Sequence, residues 1–168
     1  LVGKASELDC PVIVDADALN ALATVNNWWS FLPPRAVLTP HPGEMSRLTG
    51  LSIERIQENR LAIAQEYATQ WNTTVLLKGA HTVIASPDRL SVLPFKSSAL
   101  STAGTGDVLA GMIGALLGQW LSPHDAAAVA GYMHGLSGVH AAGGSDRSVM
   151  AGDLLDALRD VLRQIEAL

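Results

Sequence analysis

The chain predicts an α/β fold with a mostly parallel sheet, on three observations. Short apolar runs rich in β-branched residues alternate with longer segments of helical period. The first of these runs are continuous rather than alternating, as strands covered on both faces are. Polar clusters follow those runs directly, where parallel-sheet proteins gather their sites. Val12–Val14, Ala36–Leu38 and Thr74–Leu77 are the continuous runs and predict parallel, central strands. Thr82–Ala85 and Ser91–Leu93 flank Ser86-Pro87-Asp88-Arg89, a turn-forming cluster, and predict a hairpin at the sheet edge.

The helices follow from period. Ile53 to Gln70 carries Leu61, Ala64, Tyr67, Ala68 and Trp71 at helical spacing, with Arg55, Glu58, Arg60 and Glu66 opposite, and predicts one surface helix on the sheet. The last third predicts helices at about Thr105–Gly118, His124–Ala142 and Ala151–Ala167. In the last of these, Leu154, Leu155, Leu158, Val161, Leu162 and Ile165 form an apolar stripe, while Asp153, Asp156, Arg159, Asp160 and Arg163 face water. The loop 142–148 is read as mobile and carries no assigned chemistry.

Composition narrows the function classes. The 168 residues are 48% hydrophobic and carry a net charge of −5, which suits one domain over residues 1–168 and offers no basic surface for nucleic acid. The longest apolar run, Val108 to Gly118, is too short to span a bilayer. The single cysteine, Cys10, excludes an internal disulfide and fits a reducing, cytoplasmic compartment. The chain opens Leu1-Val2-Gly3-Lys4 without an initiator methionine or a signal-like stretch, and is read as beginning inside a longer domain.

Four motifs carry chemistry. Ser101-Thr-Ala-Gly104-Thr105-Gly106-Asp107 places two glycines and a carboxylate where a loop enters an apolar helix. Glycine backbone admits close approach of an anion, and the first helical N–H groups with the helix dipole form a phosphate seat. Asp107 there is either a base that takes the proton of an attacking hydroxyl or an acidic residue that caps the helix. Asp15-Ala-Asp17 leaves the first strand with two carboxylates that suit a hydrated cation or a ribose, Asp17 alternatively capping the helix that starts at Ala18. Thr39-Pro-His41-Pro-Gly43-Glu44 holds an imidazole between two prolines, with Glu44 readable as a plain first-turn residue. Lys78-Gly79-Ala80-His81-Thr82 sets a lysine and a glycine at a strand end, which suits a nucleotide phosphate or leaves a solvated surface lysine.

These clusters, in this order, resemble the ADP-dependent NAD(P)H-hydrate dehydratases of the ribokinase-like superfamily. The resemblance rests on D-A-D-A-L-N, T-P-H-P-G-E, L-K-G-A-x-T and A-G-T-G-D-V-L-A-G, followed by Gly118-Gln-Trp-Leu-Ser-Pro-His-Asp-Ala-Ala. The glycine-aspartate loop is shared across the superfamily, and T-P-H-P-G-E narrows the match. It implies a three-layer sandwich, here an N-terminally incomplete domain covering about the C-terminal two-thirds of the family's.

The implied reaction regenerates NADH and NADPH from their hydrates, with ADP as phosphoryl donor, AMP and phosphate as products and Mg2+ as counterion. By family position His41 and Asp107 contact the hydrated dinucleotide, with Asp107 catalytic. Lys78, Gly79, Ala80, His81 and Thr82 with Gly104, Thr105 and Gly106 contact the nucleotide, and Asp15 and Asp17 are metal candidates. An upstream epimerase domain in the parent polypeptide and a homo-oligomer are family expectations, the small-residue helices Gly111–Gly118 and Ala126–Gly138 being suited to close packing on a partner chain. Phe95-Lys-Ser97-Ser98-Ala-Leu100 departs from the family, many of whose members carry Asn-Pro there. Two alternatives stand beside this reading: a small-molecule kinase of the same superfamily and a non-catalytic nucleotide-binding fragment.

Overall fold

A computed structural model describes residues 10–96, 98–145 and 149–167. Ser97, in the segment that departs from the family pattern, and residues 146–148 of the loop expected to be mobile lie outside the described residues. Five strands form one sheet in the order β1 (Val12–Val14), β2 (Ala36–Leu38), β3 (Thr74–Leu77), β4 (Val83–Ser86) and β5 (Arg89–Val92). β1, β2 and β3 are parallel, and β4 and β5 are each antiparallel to the strand before. The parallel runs and the edge hairpin match the sequence, with two corrections. β1 lies at an edge of the sheet among the described residues, not at its centre. The hairpin strands are Val83–Ser86 and Arg89–Val92 rather than 82–85 and 91–93, because Ser86 pairs with Arg89 and leaves only Pro87 and Asp88 as the loop.

Two-sided burial explains the continuous runs. Leu38, Val75, Leu77, Val83 and Ala85 point to one face, where they pack with Leu19, Met45, Ile63, Trp28 and Trp71. Val37, Leu76 and Ile84 alternate to the other face and meet Leu109, Ile113, Leu117, Ala127 and Ala130. Each buried Val, Leu, Ile or Met side chain among them contributes about 1.5–3 kcal/mol by leaving water. The first face carries α1 (Asp17–Leu22), α2 (Pro42–Thr49), α3 (Ile53–Glu58) and α4 (Arg60–Trp71). The second carries α5 (Thr105–Gly118) and α6 (Pro123–Ala142), with α7 (Ala151–Glu166) outside them, packed mainly on α6. Three layers result, as the resemblance implies.

The helical predictions need three corrections. Residues 53–70 form two helices, because Asn59 leaves helical geometry (φ −129°, ψ 36°) and its side-chain amide donates to the Arg55 carbonyl. In α4 the buried residues are Ile63, Ala64, Ala68 and Trp71, so Ile63 takes the place expected of Leu61, which is 50% exposed. In α7 only Leu154, Ala157 and Val161 are buried, since the helix has neighbours on one narrow side, so Leu155, Leu162 and Ile165 of the predicted stripe are exposed.

The third correction concerns the small residues of α6. Gly131, Gly135 and Gly138 receive side chains of their own chain. A Cβ at these positions would stand 2.6 Å from Leu93, 2.1 Å from Phe95 and 2.5 Å from Leu100 respectively, so the segment after β5 presses its own side chains into the helix backbone. Among the described residues, no helix is long and apolar enough to cross a membrane.

The N-terminus of α6 is fixed to the hairpin. Ser122 caps it through a bond from the Asp125 N–H, and Pro123 takes the first helical position, where its missing N–H costs nothing. His124 is buried between two hydroxyls, Nδ1 at 3.0 Å from Ser86 Oγ and Nε2 at 2.9 Å from Ser91 Oγ. Asp125 meets Arg89 at 2.8 Å. Burial, then the Arg89 charge, push the His124 pKa below its ordinary value.

Two predictions follow from this packing. Gly135→Ala lowers the unfolding free energy by about 1–3 kcal/mol in chemical denaturation, and adding Phe95→Ala recovers part of the loss. As for pH, the unfolded chain binds the His124 proton below 6.5 while the folded chain does not, so stability is present above that pH and falls as pH drops toward the lowered folded value. Thermal melts between pH 7 and pH 5 are expected to show this slope, reduced in His124→Gln.

Candidate active site

The carboxyl ends of the three parallel strands and the start of α5 converge on one cleft. Beyond β1, Asp15 reaches Lys78 from the end of β3, Oδ1 to Nζ 2.8 Å. Glu44, in the first turn of α2, approaches the same ammonium at 3.8 Å and is only 5% exposed. Lys78 is therefore held between two carboxylates and is not a solvated surface lysine. A Cβ on Gly106 would lie 3.7 Å from Asp15 Oδ2 and 3.9 Å from Lys78 Nζ, which sets the glycine loop directly against this ion pair.

His41 is held by the helix it starts. Its Nδ1 accepts from the N–H groups of Gly43 (3.0 Å) and Glu44 (3.4 Å), and the Glu44 carboxylate accepts from the His41 N–H at 2.7 Å. This is a capping box with an imidazole in the place usually taken by Ser or Thr. An Nδ1 that accepts two N–H groups is unprotonated, so the neutral ring carries its proton on Nε2, which lies 3.4 Å from Glu44 Oε1. Pro42 sits at the first helical position, so the prolines set the entry and the cap sets the ring. Glu44 is indeed a first-turn residue, and it also tethers His41 and faces Lys78.

After β3 the backbone turns with its carbonyls tied back. Arg60, on α4, donates from one guanidinium nitrogen to the Leu77 carbonyl (2.8 Å) and the Lys78 carbonyl (3.3 Å), and the Thr82 hydroxyl donates to the Gly79 carbonyl (3.0 Å). The Lys78 N–H is taken by the Pro40 carbonyl and the His81 N–H by that of Phe95. Among the described residues, the N–H groups of Gly79 and Ala80 have no partner. Gly79 has φ +143°, which favours glycine, and a Cβ there would also crowd the Arg60 guanidinium at 3.0–3.1 Å. Burial lowers the Arg60 pKa from its ordinary value.

The start of α5 supplies the other donors. Gly104 (φ +87°) is its N-cap and packs on Ala151. The Thr105 N–H is spent on the Thr102 carbonyl, so the donors left free among the described residues are those of Gly106 and Asp107. Thr105 is buried, its hydroxyl within 2.8 Å of the Leu100 carbonyl and 2.7 Å of that of Thr102. Its own carbonyl accepts from His134 Nε2 at 2.9 Å. Burial lowers the pKa of His134, and the Thr105 bond opposes the shift.

A cavity of about 790 Å³ is walled by His41, Lys78, Gly79, Ala80, Thr82, Thr105 and Gly106, seven of the residues singled out in the sequence. Gly104, His81 and Asp107 do not line it. His81 is exposed with φ +53°, and Asp107 is exposed in the first turn of α5. Asp17 is also exposed. It is the first residue of α1 rather than its cap, which is Ala16, and its carboxylate takes a 3.4 Å bond from Asn20.

Sequence reasoning missed the apolar half of the cavity, formed by Leu93, Phe95, Leu100, Leu109 and the Gly131–Gly135 stretch with His134. The available signal was the glycine spacing on α6, read outward instead of inward. It missed Arg60 as well, since a charge on an amphipathic helix reads as solvated.

The capping role of His41 is separable from any ligand contact. His41→Ala is expected to lower stability by about 1 kcal/mol, and His41→Asn, whose side chain also caps, to restore most of it in equilibrium denaturation.

Comparison with known proteins places this geometry. Residues 1–160 match the model of the Carb_kinase family, described as NAD(P)H-hydrate dehydratase. The bifunctional NAD(P)H-hydrate repair enzyme Nnr of Moorella thermoacetica is 52% identical over 158 residues, 93% of this chain and 30% of that protein. The crystal structure of the ADP/ATP-dependent NAD(P)H-hydrate dehydratase of Bacillus subtilis, co-crystallised with ATP/Mg2+, superposes with a TM-score of 0.82 at 38% identity over 95% of this chain and 56% of that one. A ribokinase-like superfamily protein from Enterococcus faecalis superposes at 0.76 with 28% identity, over 92% of this chain and 52% of that one. The chain thus spans from about a third to somewhat over half of the length of these relatives. Its fold is ribokinase-like, and by the match across residues 1–160 the chain belongs to the NAD(P)H-hydrate dehydratase family.

Proposed function

We propose that this site performs its family's repair reaction, the ADP-dependent dehydration of hydrated NADH and NADPH with release of AMP and phosphate. The observation that carries the reading is the Lys78 ammonium, held by Asp15 and Glu44 against Gly106 on the wall of a cavity that His41 shares. A half-buried cation beside free N–H groups from two loops is a preorganised seat for a diphosphate. The apolar half of the cavity, closed by Leu93, Phe95 and Leu109, suits a purine ring.

In this reading the N–H groups of Gly106 and Asp107 stabilise charge on the transferring phosphoryl group, and Gly79, Ala80 and Lys78 hold the nucleotide. Asp107 takes the proton from the hydroxyl on the hydrated nicotinamide ring as its oxygen attacks the terminal phosphorus of ADP, whose bond to the bridging oxygen breaks to leave AMP. The ring C–O bond then breaks to release phosphate, and the neighbouring ring carbon gives up a proton to solvent, which restores the ring double bond. The exposure of Asp107 fits a residue that meets a second substrate at the open mouth. His41 offers that substrate the edge of a ring whose orientation the helix cap fixes.

The donor set fits Mg2+ brought by the nucleotide. Among the described residues no three His, Cys, Asp or Glu side chains form a metal cage, and Mg2+ commonly binds through one or two carboxylates plus substrate phosphates and water. Asp15 lies beside Gly106, whereas Asp17 is exposed on α1. When bound, the ion neutralises charge on the phosphates. An epimerase domain in the parent polypeptide, a homo-oligomer and a cytoplasmic location belong to the same proposal.

The test is recovery of reduced-nicotinamide absorbance from hydrated NADH on addition of ADP, using the full-length parent. Asp107→Asn is expected to lower turnover at least a hundredfold while ADP binding survives. Undiminished turnover in that variant would remove Asp107 from the chemistry. Accumulation of a phosphorylated small molecule without recovery of absorbance would favour a kinase.

A further inference from the structure

We propose that Arg60 is a positioning residue for the nucleotide, acting through the peptide between Lys78 and Gly79. The proposal rests on the nucleotide reading of the cavity and adds to it a residue outside the recognised motifs. Arg60 lies at the start of α4, one residue after the break at Asn59, which brings its side chain under the end of β3. One guanidinium nitrogen bonds two successive carbonyls, Leu77 at 2.8 Å and Lys78 at 3.3 Å, and the other bonds Gln57 Oε1 at 2.9 Å.

Peptide geometry carries the rest. The described chain has no cis peptide, so each N–H points opposite to the carbonyl of its own peptide group. Drawing the Lys78 carbonyl toward Arg60 therefore aims the Gly79 N–H away from it. That N–H has no partner among the described residues, and Gly79 lines the cavity. Thr82 ties the Gly79 carbonyl and fixes the Ala80 N–H in the same manner. Lys78 itself cannot turn freely, because its N–H is bonded to the Pro40 carbonyl at 2.8 Å.

Two further features single out arginine here. Its Nε is buried without a partner among the described residues, a desolvation cost that a shorter or apolar side chain at this position avoids. The guanidinium also fills the space where a Cβ on residue 79 would stand, 3.0–3.1 Å away, so the fork and the glycine fit each other. A lysine offers one ammonium in place of a planar fork and cannot hold the two carbonyls while a second, fixed nitrogen is anchored on Gln57.

The experiment is ADP titration by calorimetry on wild type, Arg60→Lys and Arg60→Met, with thermal melts of each and steady-state kinetics in the parent enzyme. Arg60→Met is expected to raise the Kd and KM for ADP about tenfold, the loss of one charge-assisted hydrogen bond, with kcat at saturating ADP changed less than about twofold. Arg60→Lys is expected to fall between. A purely structural arginine lowers the melting temperature and leaves ADP affinity alone, and that result overturns the proposal. If Arg60→Met does not fold, the Gly79 amide of the 15N-labelled wild-type protein decides: it is expected to shift and gain exchange protection on ADP saturation, and no change overturns the proposal. Failure of the wild type to bind ADP overturns the nucleotide reading too, whereas wild-type binding unchanged in Arg60→Met overturns this inference alone.

Discussion

The geometry of the cleft depends on one cation held among carboxylates. Lys78 leaves β3, Asp15 follows β1, and Glu44 belongs to the helix after β2, so the contacts of 2.8 and 3.8 Å tie together the ends of three strands. Buried ion pairs contribute little net stability once desolvation is counted. What this one contributes is register: removing any of the three charges leaves the others poorly solvated, so the strand ends are held at one separation. Glu44 transmits the constraint to His41 through the capping box, and the proximity of Gly106 extends it to α5.

Much of the fold is legible because the sheet is covered on both sides. Residues 36–38 and 75–77 are apolar without interruption since successive side chains enter different cores, a pattern that reports two-sided burial and not position in the sheet, as the run in β1 at the edge shows. β4 shares that burial, and β5 does not, its side chains being exposed or half-exposed at the edge. What the residues do not disclose is how far each apolar stripe is covered. Leu155 and Leu162 sit at sound helical spacing yet face solvent, because α7 has a neighbour on one side only. The break at Asn59 is equally silent in a periodicity count, since the residues on either side keep their helical phase.

The site is legible where backbone chemistry fixes the residue type and obscure where only packing does. Glycine at 79 and 106, the lysine at a strand end and the proline beside His41 all announce a local geometry. Arg60 announces nothing, because its function comes from a neighbour in space contributed by the other end of β3. His134 is hidden in the same way: its value lies in a carbonyl of Thr105, twenty-nine residues away along the chain. Asp107 is the inverse case, conspicuous in sequence and, among the described residues, still without a hydrogen-bond partner for its side chain, exposed at a helix start.

The row of glycines on α6 carries a consequence for variation between relatives. Gly131, Gly135 and Gly138 receive Leu93, Phe95 and Leu100, and these last are the residues that roof the apolar half of the cavity. The segment after β5 and one face of α6 therefore cannot drift apart from each other. A larger residue at any of the three glycines must be accompanied by a smaller one at its contact, and each such exchange reshapes the roof of the cavity. In a comparison across many sequences, the two stretches should change as a pair, and lineages in which they have changed should differ in the shape of base they admit.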